Sequence, residues 1–168
     1  LGAAKTVTDQ IETIDAATGA VPACINCFQC WYKTPGECVL PRDKKNEFPD
    51  RFWDADFVVI VSRILWGGYS TRVKLYVDRL LPIVHPYFAM RNGEMHHRLR
   101  YGRIPLIVSA GYGARSAGEE ATFRGMSDAH RDQGWKRRER ETFIVRSGES
   151  AGDVAIASRD WLIKEIGR

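Results

Sequence analysis

No apolar run in this chain of 168 residues approaches the roughly 20 that a membrane-spanning helix needs, so no membrane partner is expected. Leu1 to Gln10 lack the pattern of a secretory signal, and they lack an initiating methionine. Dense charge of one sign is also missing. The net charge is +4 and the sequence pI about 9.0, short of the loading of a dedicated nucleic-acid binder. Basic residues do gather at Arg91, His96, His97, Arg98, Arg100 and Arg103, and again at Arg131, Lys136, Arg137, Arg138 and Arg140. Both groups read as solvated surface or as an attraction for an anionic cofactor or partner. The four histidines, His85, His96, His97 and His130, show no metal-ligand spacing. No serine-histidine-acid set and no paired carboxylates stand out, so no catalytic side chain is assigned. Cysteine is absent everywhere except between Cys24 and Cys38, where all four lie. Disulfide scaffolds spread their cysteines through a small chain. Clustering in an ordinary globular sequence points instead to metal or redox chemistry in a reducing compartment, hence a cytoplasmic protein.

What is present is a 44% apolar chain, enough for one domain over residues 1–168. Phe57 to Val61 is a continuous, β-branched run, expected as a strand buried on both faces of a parallel sheet. A helix is expected from Ser70 or Thr71, with Val73, Val77, Leu80 and Leu81 at helical spacing, ended by Pro82. The excursion from Pro82 to Arg103 contains Asn92-Gly93, a hairpin turn signal. Ile104 to Val108 is the next strand, broken by Gly111-Tyr112-Gly113. Ser116 and Glu119 form a capping box for a helix reaching about Gly134. Thr142 to Val145 is the last strand, and Ser150 and Asp153 open a final helix with Val154, Ala157, Trp161 and Ile166 on its apolar face. Ile11 to Asp15 is a short strand candidate before the cysteines. Such alternation predicts a doubly wound α/β sheet, whose ligands sit beyond the carboxyl ends of the strands. The loops Ser62 to Ser70 and Ala110 to Arg115 lie at that edge.

The cysteine spacing is Cys24-x2-Cys27-x2-Cys30-x7-Cys38. Two short steps let three thiolates converge in one loop, and Pro35-Gly36 can turn Cys38 back to them. Four thiolates are what a cubane iron-sulfur cluster requires. Zinc also accepts four thiolates, although structural zinc sites usually separate two cysteine pairs by a longer stretch. Disulfides, or thiols without a ligand, are the remaining readings.

The loop Ser62-Arg63-Ile64-Leu65-Trp66-Gly67-Gly68-Tyr69 follows a buried strand. Its glycines allow close backbone approach, its aromatics can stack on a flat ring, and its N–H groups can bond a flavin and tune its potential. The bland alternative is a turn with Trp66 as core filler. Ala110-Gly111-Tyr112-Gly113 is a second loop of the same kind. Lys74, Asp78 and Arg79 on the intervening helix read as a salt-linked surface.

The segment Cys24-Ile-Asn-Cys-Phe-Gln-Cys-Trp-Tyr-Lys-Thr-Pro-Gly-Glu-Cys38 resembles the compact cysteine motif of the iron-sulfur flavoproteins, within the flavodoxin-like, NAD(P)H-dependent FMN reductases. The stretch from Asp54 through Arg79 is similar to the same group, and the resemblance extends over nearly all the chain from about Ile11. It implies a five-stranded parallel sheet in order 2-1-3-4-5 and FMN at the strand ends, against Ser62 to Tyr69 and Ala110 to Gly113. It implies a [4Fe-4S] cluster on Cys24, Cys27, Cys30 and Cys38, and a homo-oligomer. In this family a first strand and a Ser/Thr-rich phosphate loop come before the first helix. Nothing before Ile11 supplies them, so the chain reads as N-terminally incomplete, with its first strand missing beside Phe57 to Val61.

The expected function is that of an electron-transfer flavoenzyme. It would take electrons from a reduced nicotinamide or a ferredoxin-type donor and pass them to a small-molecule or protein redox partner. The rivals are a cluster-free NAD(P)H-dependent FMN or quinone reductase, and a non-catalytic zinc-stabilised binding domain.

Overall fold

The computed structural model describes residues 10–19, 21–40, 48–91, 93–102, 105–132, 142–145, 160–161 and 163–164. The elements in order are α1 (Gln29–Tyr32), α2 (Phe48–Asp54), β1 (Phe57–Leu65), β2 (Gly68–Tyr69), α3 (Thr71–Asp78), a 3-10 turn (Leu81–Ile83), β3 (Val84–Arg91), β4 (Glu94–Leu99), β5 (Leu106–Tyr112), α4 (Ala117–Asp132) and β6 (Thr142–Val145).

The main sheet has the order β2-β1-β5-β6. Its apolar runs pair in parallel, Phe57 to Arg63 on Leu106 to Tyr112 and Ser109 to Tyr112 on Thr142 to Val145. Among the described residues only the short β2 is antiparallel in this sheet, returning from β1 at Ile64 and Leu65. Because side chains alternate along a strand, the sheet buries two separate clusters. Ile64, Tyr69 and Ile144 pack on Phe123 of α4, which is 0% exposed. Val108 packs on Trp161 across the other face, with Phe57, Leu106 and Phe143 beside them. Apolar cover on both faces is the doubly wound arrangement expected. The remaining residues expected in the final helix, Val154, Ala157 and Ile166, lie outside the described ones, as do Ser150 and Asp153.

The expected capping box is present in a variant form. The Glu119 N–H donates to Ser116 Oγ at 3.2 Å, while Glu119 Oε2 accepts from the Arg115 N–H at 2.7 Å. The hairpin expected around Asn92-Gly93 is also there, with Arg91 paired to Glu94 and Gly93 at φ +85°. His96 and His97 occupy opposite faces of β4, as adjacent residues on a strand must.

Two expectations are corrected. Ile11 to Asp15 is not a strand. Asp15 accepts hydrogen bonds from the Ala17 N–H at its side chain and from the Gly19 N–H at its carbonyl, which bends the chain into a turn, and Ile14 is 39% exposed. Gly111 does not break β5, which continues through it to Tyr112. A Cβ on Gly111 would meet Phe123 at 2.7 Å and Ile64 at 2.8 Å, so this glycine is a close-packing position within the strand.

Among the described residues, β1 from Phe57 to Arg63 has a strand partner along one edge only, that of β5. On one face of β1 Val59 and Val61 are 50% and 62% exposed, so the expectation of a run buried on both faces is corrected at these two positions. No helix among the described residues is long and apolar enough to cross a membrane.

Candidate functional site

The cysteine segment owes its shape to three unusual backbone positions. Asn26 and Phe28 take left-handed conformations, φ 51° and 54°, and turn the chain between the first three cysteines. α1 then carries Cys30 inward. Gly36, at φ 89°, donates its N–H to the Cys30 carbonyl at 3.0 Å and starts the return to Cys38. A residue with a Cβ rarely adopts such a conformation.

Cys24, Cys27, Cys30 and Cys38 line the wall of one cavity. The rest of the wall is apolar, from Ile25, Phe28, Val39, Leu40, Leu81 and Pro82, apart from Asp78 and Arg79. All four cysteines are free thiols. Burial pushes the Cys30 thiol up to about 11, and charge on Cys38, Cys24 and Cys27 pushes in the same direction. Ionising four thiols together in such a place requires compensating positive charge, which a thiolate-bound metal supplies. Among the described residues no group of three or more His, Cys, Asp or Glu is drawn close enough to hold one metal ion. A cubane makes a different demand, since it presents four irons and gives each thiolate its own. The donor set and the shared cavity fit that group.

Arg79 corrects the sequence reading of a salt-linked helix surface. Lys74 and Asp78 do pair in that way, but Arg79 is 2% exposed. It follows Tyr76 by three residues and precedes Ile83 by four, and all three are buried. That spacing was a readable sign of a shared inward face.

An aromatic chain that the sequence did not reveal ties the cysteine segment to the β3–β4 hairpin. Phe28 lies 4.9 Å from Trp31, Trp31 5.2 Å from His97, and His97 4.3 Å from Phe88, between ring centroids. The Trp31 indole N–H donates to the Leu81 carbonyl at 3.2 Å, and His97 Nδ1 bonds the His85 carbonyl oxygen at 2.8 Å.

The two strand-end loops lie side by side because Ser62 is in register with Gly111 and Arg63 with Tyr112. Their residues divide into two sets. Ser62, Ile64, Gly67, Tyr69 and Gly111 are interior. Ser62 Oγ accepts the Ser70 N–H at 2.9 Å and donates to the Arg63 carbonyl. The Tyr69 hydroxyl shares a 2.8 Å hydrogen bond with Ser109, and burial holds its phenol above the usual value while bonds to Ser109 and Ser127 act against that rise. A Cβ on Gly67, at φ +78°, would meet Thr122 of α4 at 2.5 Å. Leu65, Gly68 and Ala110 are half-buried. Arg63, Trp66, Tyr112 and Gly113 face outward. Trp66 is 85% exposed, which removes the core-filler reading. With Gly67 it forms the β1–β2 turn, both residues at positive φ, as a type I′ hairpin requires. Trp66 and Tyr112 thus offer two exposed rings at one end of the sheet.

No protein-family model matches the chain. It is similar to an iron-sulfur flavoprotein of Methanocaldococcus jannaschii, 27% identical over 115 residues, 68% of this chain and 52% of that protein. It is also similar to an iron-sulfur flavoprotein of Archaeoglobus fulgidus, 28% identical over 76 residues, 45% of this chain and 33% of that protein. The chain thus spans about half, or less, of the length of these curated relatives. Among solved structures, azoreductase from Bacillus anthracis shares its fold with a TM-score of 0.54 at 12% identity, covering 90% of this chain and 78% of the other. By sequence the chain is similar to iron-sulfur flavoproteins, and by structure it has a flavodoxin-like α/β fold.

Proposed function

We propose that this chain serves an NAD(P)H-dependent flavoprotein oxidoreductase that binds FMN at the strand ends and a [4Fe-4S] cluster at Cys24, Cys27, Cys30 and Cys38. The observation that carries this reading is the convergence of four free thiols on one largely apolar cavity in a flavodoxin-like fold. When bound, the flavin exchanges two electrons with a nicotinamide or one with an iron-sulfur centre, and so joins the two kinds of carrier.

The chain's own residues have definite parts in this reading. The four thiolates would hold the irons, and Leu40, Leu81 and Pro82 would back them with apolar surface. Trp66 and Tyr112 offer their rings to a flat cofactor, and the outward residues Arg63 and Gly113 border its edge. Ser62, Tyr69, Gly67 and Gly111 fix the positions of those loops from inside. No acid or base on the protein is required for hydride transfer between nicotinamide and flavin, and none is assigned. The acceptor is a small molecule or a redox protein, the protein works as a homo-oligomer, and its compartment is the reducing cytoplasm.

The visible spectrum of protein purified without oxygen tests this. Two resolved flavin bands over a broad brown absorption, with iron and sulfide near four per chain, are expected. Flavin bands alone would leave a cluster-free reductase. A colourless protein holding zinc would favour a binding domain and refute the redox reading.

A further inference from the structure

We propose that the face of the β3–β4 hairpin carrying Phe88, Met90 and Met95, continuous with the cysteine segment, is the docking surface for an acidic one-electron carrier protein that exchanges electrons with the cysteine centre. The proposal rests on the cluster reading above and names a partner surface that the reading did not place.

Strand pairing builds the face. Phe88 pairs with His97 and Met90 with Met95, and paired or alternate residues of a ladder share one side. Met90 and Met95 are each 67% exposed, and Phe88 is 52% exposed. The His97 ring touches both Phe88 and Trp31, and Trp31 touches Phe28. The face therefore runs on into the cysteine segment, where Ile25 and Phe28 are exposed as well. Exposed apolar side chains scattered singly are ordinary, whereas a joined set marks a contact surface. Methionine suits such a face, because its flexible, polarisable chain adapts to a partner. Ile25 and Phe28 also belong to the cavity wall lined by the four cysteines. A protein seated on this face would cover those two residues and stand beside the thiols.

Charge selects the kind of partner. From Val84 to Arg103 the chain carries Arg91, Arg98, Arg100 and Arg103 against Glu94 alone, four positive charges to one negative. Glu94 itself is engaged with His96. Arg98 is exposed, and its Nε donates to the Phe88 carbonyl at 3.3 Å, which holds a cation at the rim of the apolar face. Arg100 bonds the Pro82 and Val84 carbonyls, which are neutral acceptors. An apolar centre with a cationic rim complements an anionic protein surface, whose opposite potential steers the encounter. A second copy of this chain, at net charge +4, is the poorer match. In the exchange one electron leaves the reduced carrier and enters the oxidised cluster, and no bond forms or breaks.

The probe is a plant-type [2Fe-2S] ferredoxin of strongly acidic sequence, added to the anaerobically prepared protein. Titration calorimetry reads binding, and rapid-freeze electron paramagnetic resonance reads electron arrival at the cluster. Binding is expected at low salt and should be lost as the screening length falls from about 30 Å to about 3 Å. Arg98→Glu, Met90→Asp and Met95→Asp should each weaken binding and slow cluster reduction by ferredoxin about tenfold or more. Arg98→Lys, which keeps the charge, should stay close to the parent. Reduction by dithionite, which needs no docking face, should be unchanged in all four. These side chains are exposed, so the variants should fold, and the salt dependence of the parent needs no variant. A parent that holds its cluster but binds no ferredoxin, or three variants that bind it as the parent does, would overturn the proposal and leave the cluster reading intact. An oligomer that Met95→Asp dissociates would also overturn it, by giving this face to contact between copies. A parent protein that takes up no iron or sulfide would overturn both.

Discussion

The cysteine cavity and the strand-end loops occupy the same domain but are built on opposite plans. In the cavity the residues that define the chemistry also form the wall, and local backbone turns at Asn26, Phe28 and Gly36 lie between successive cysteines. In the loops the conspicuous glycines serve packing. Gly67 fits against Thr122 and Gly111 against Phe123 and Ile64, so α4 lies directly beneath both loops. What faces solvent there is aromatic, Trp66 and Tyr112. Glycine after a strand therefore reports a close approach without saying whether a ligand or a helix makes it.

The largest effect that separates the two regions should come from Phe123. It is fully enclosed and touches the underside of the loops. Phe123→Ala should cost about 3–5 kcal/mol of folding stability, read by urea unfolding. Below the transition, iron retention at the cysteines should change little. Proportional loss of iron would show that the two regions fold as one and break the comparison.

Gly111→Ala comes next. Its Cβ has no room before Phe123 and Ile64, and overpacking of this kind costs about 1–3 kcal/mol. An unchanged melting temperature would mean that α4 can shift away, and that Gly111 is held for some other purpose.

Trp66→Ala should disturb stability least, within about 0.5 kcal/mol, as expected for an exposed side chain. FMN affinity should still fall by a factor of several, since a stacked aromatic contributes about 0.5–1.5 kcal/mol beyond its area. Titration by flavin fluorescence quenching reads this directly. Unchanged affinity would remove Trp66 from the flavin site.

The sequence made the parallel sheet legible because Phe57 to Val61 and Thr142 to Val145 are short, β-branched runs between polar breaks. That the four cysteines share one cavity wall followed from their local spacing. Ile11 to Asp15 misled because an isolated alternating segment has no strand character without a neighbour, and Asp15 found its hydrogen bonds in a turn. The burial of Arg79 and the Phe28–Trp31–His97–Phe88 chain were hidden for the converse reason. Both depend on contacts between segments about 40 or more residues apart in sequence, and charge or aromaticity alone does not say which way a side chain turns.

The turn at Trp66 has a consequence for how this protein can be improved. A hairpin turn with both central residues at positive φ is most at ease with asparagine or glycine. Here an indole holds one of those places, at φ 55°, with most of its ring in water. Folding gains nothing from that choice. Trp66→Gly should therefore raise the stability of the ligand-free protein by up to about 1 kcal/mol, because it relieves the left-handed conformation. A search for heat-resistant variants, run without flavin, would select this change early and would silently discard the residue proposed to meet the cofactor. The same search run with FMN present should retain the tryptophan, and the contrast between the two outcomes would mark the turn as a position where endurance and recognition are in conflict.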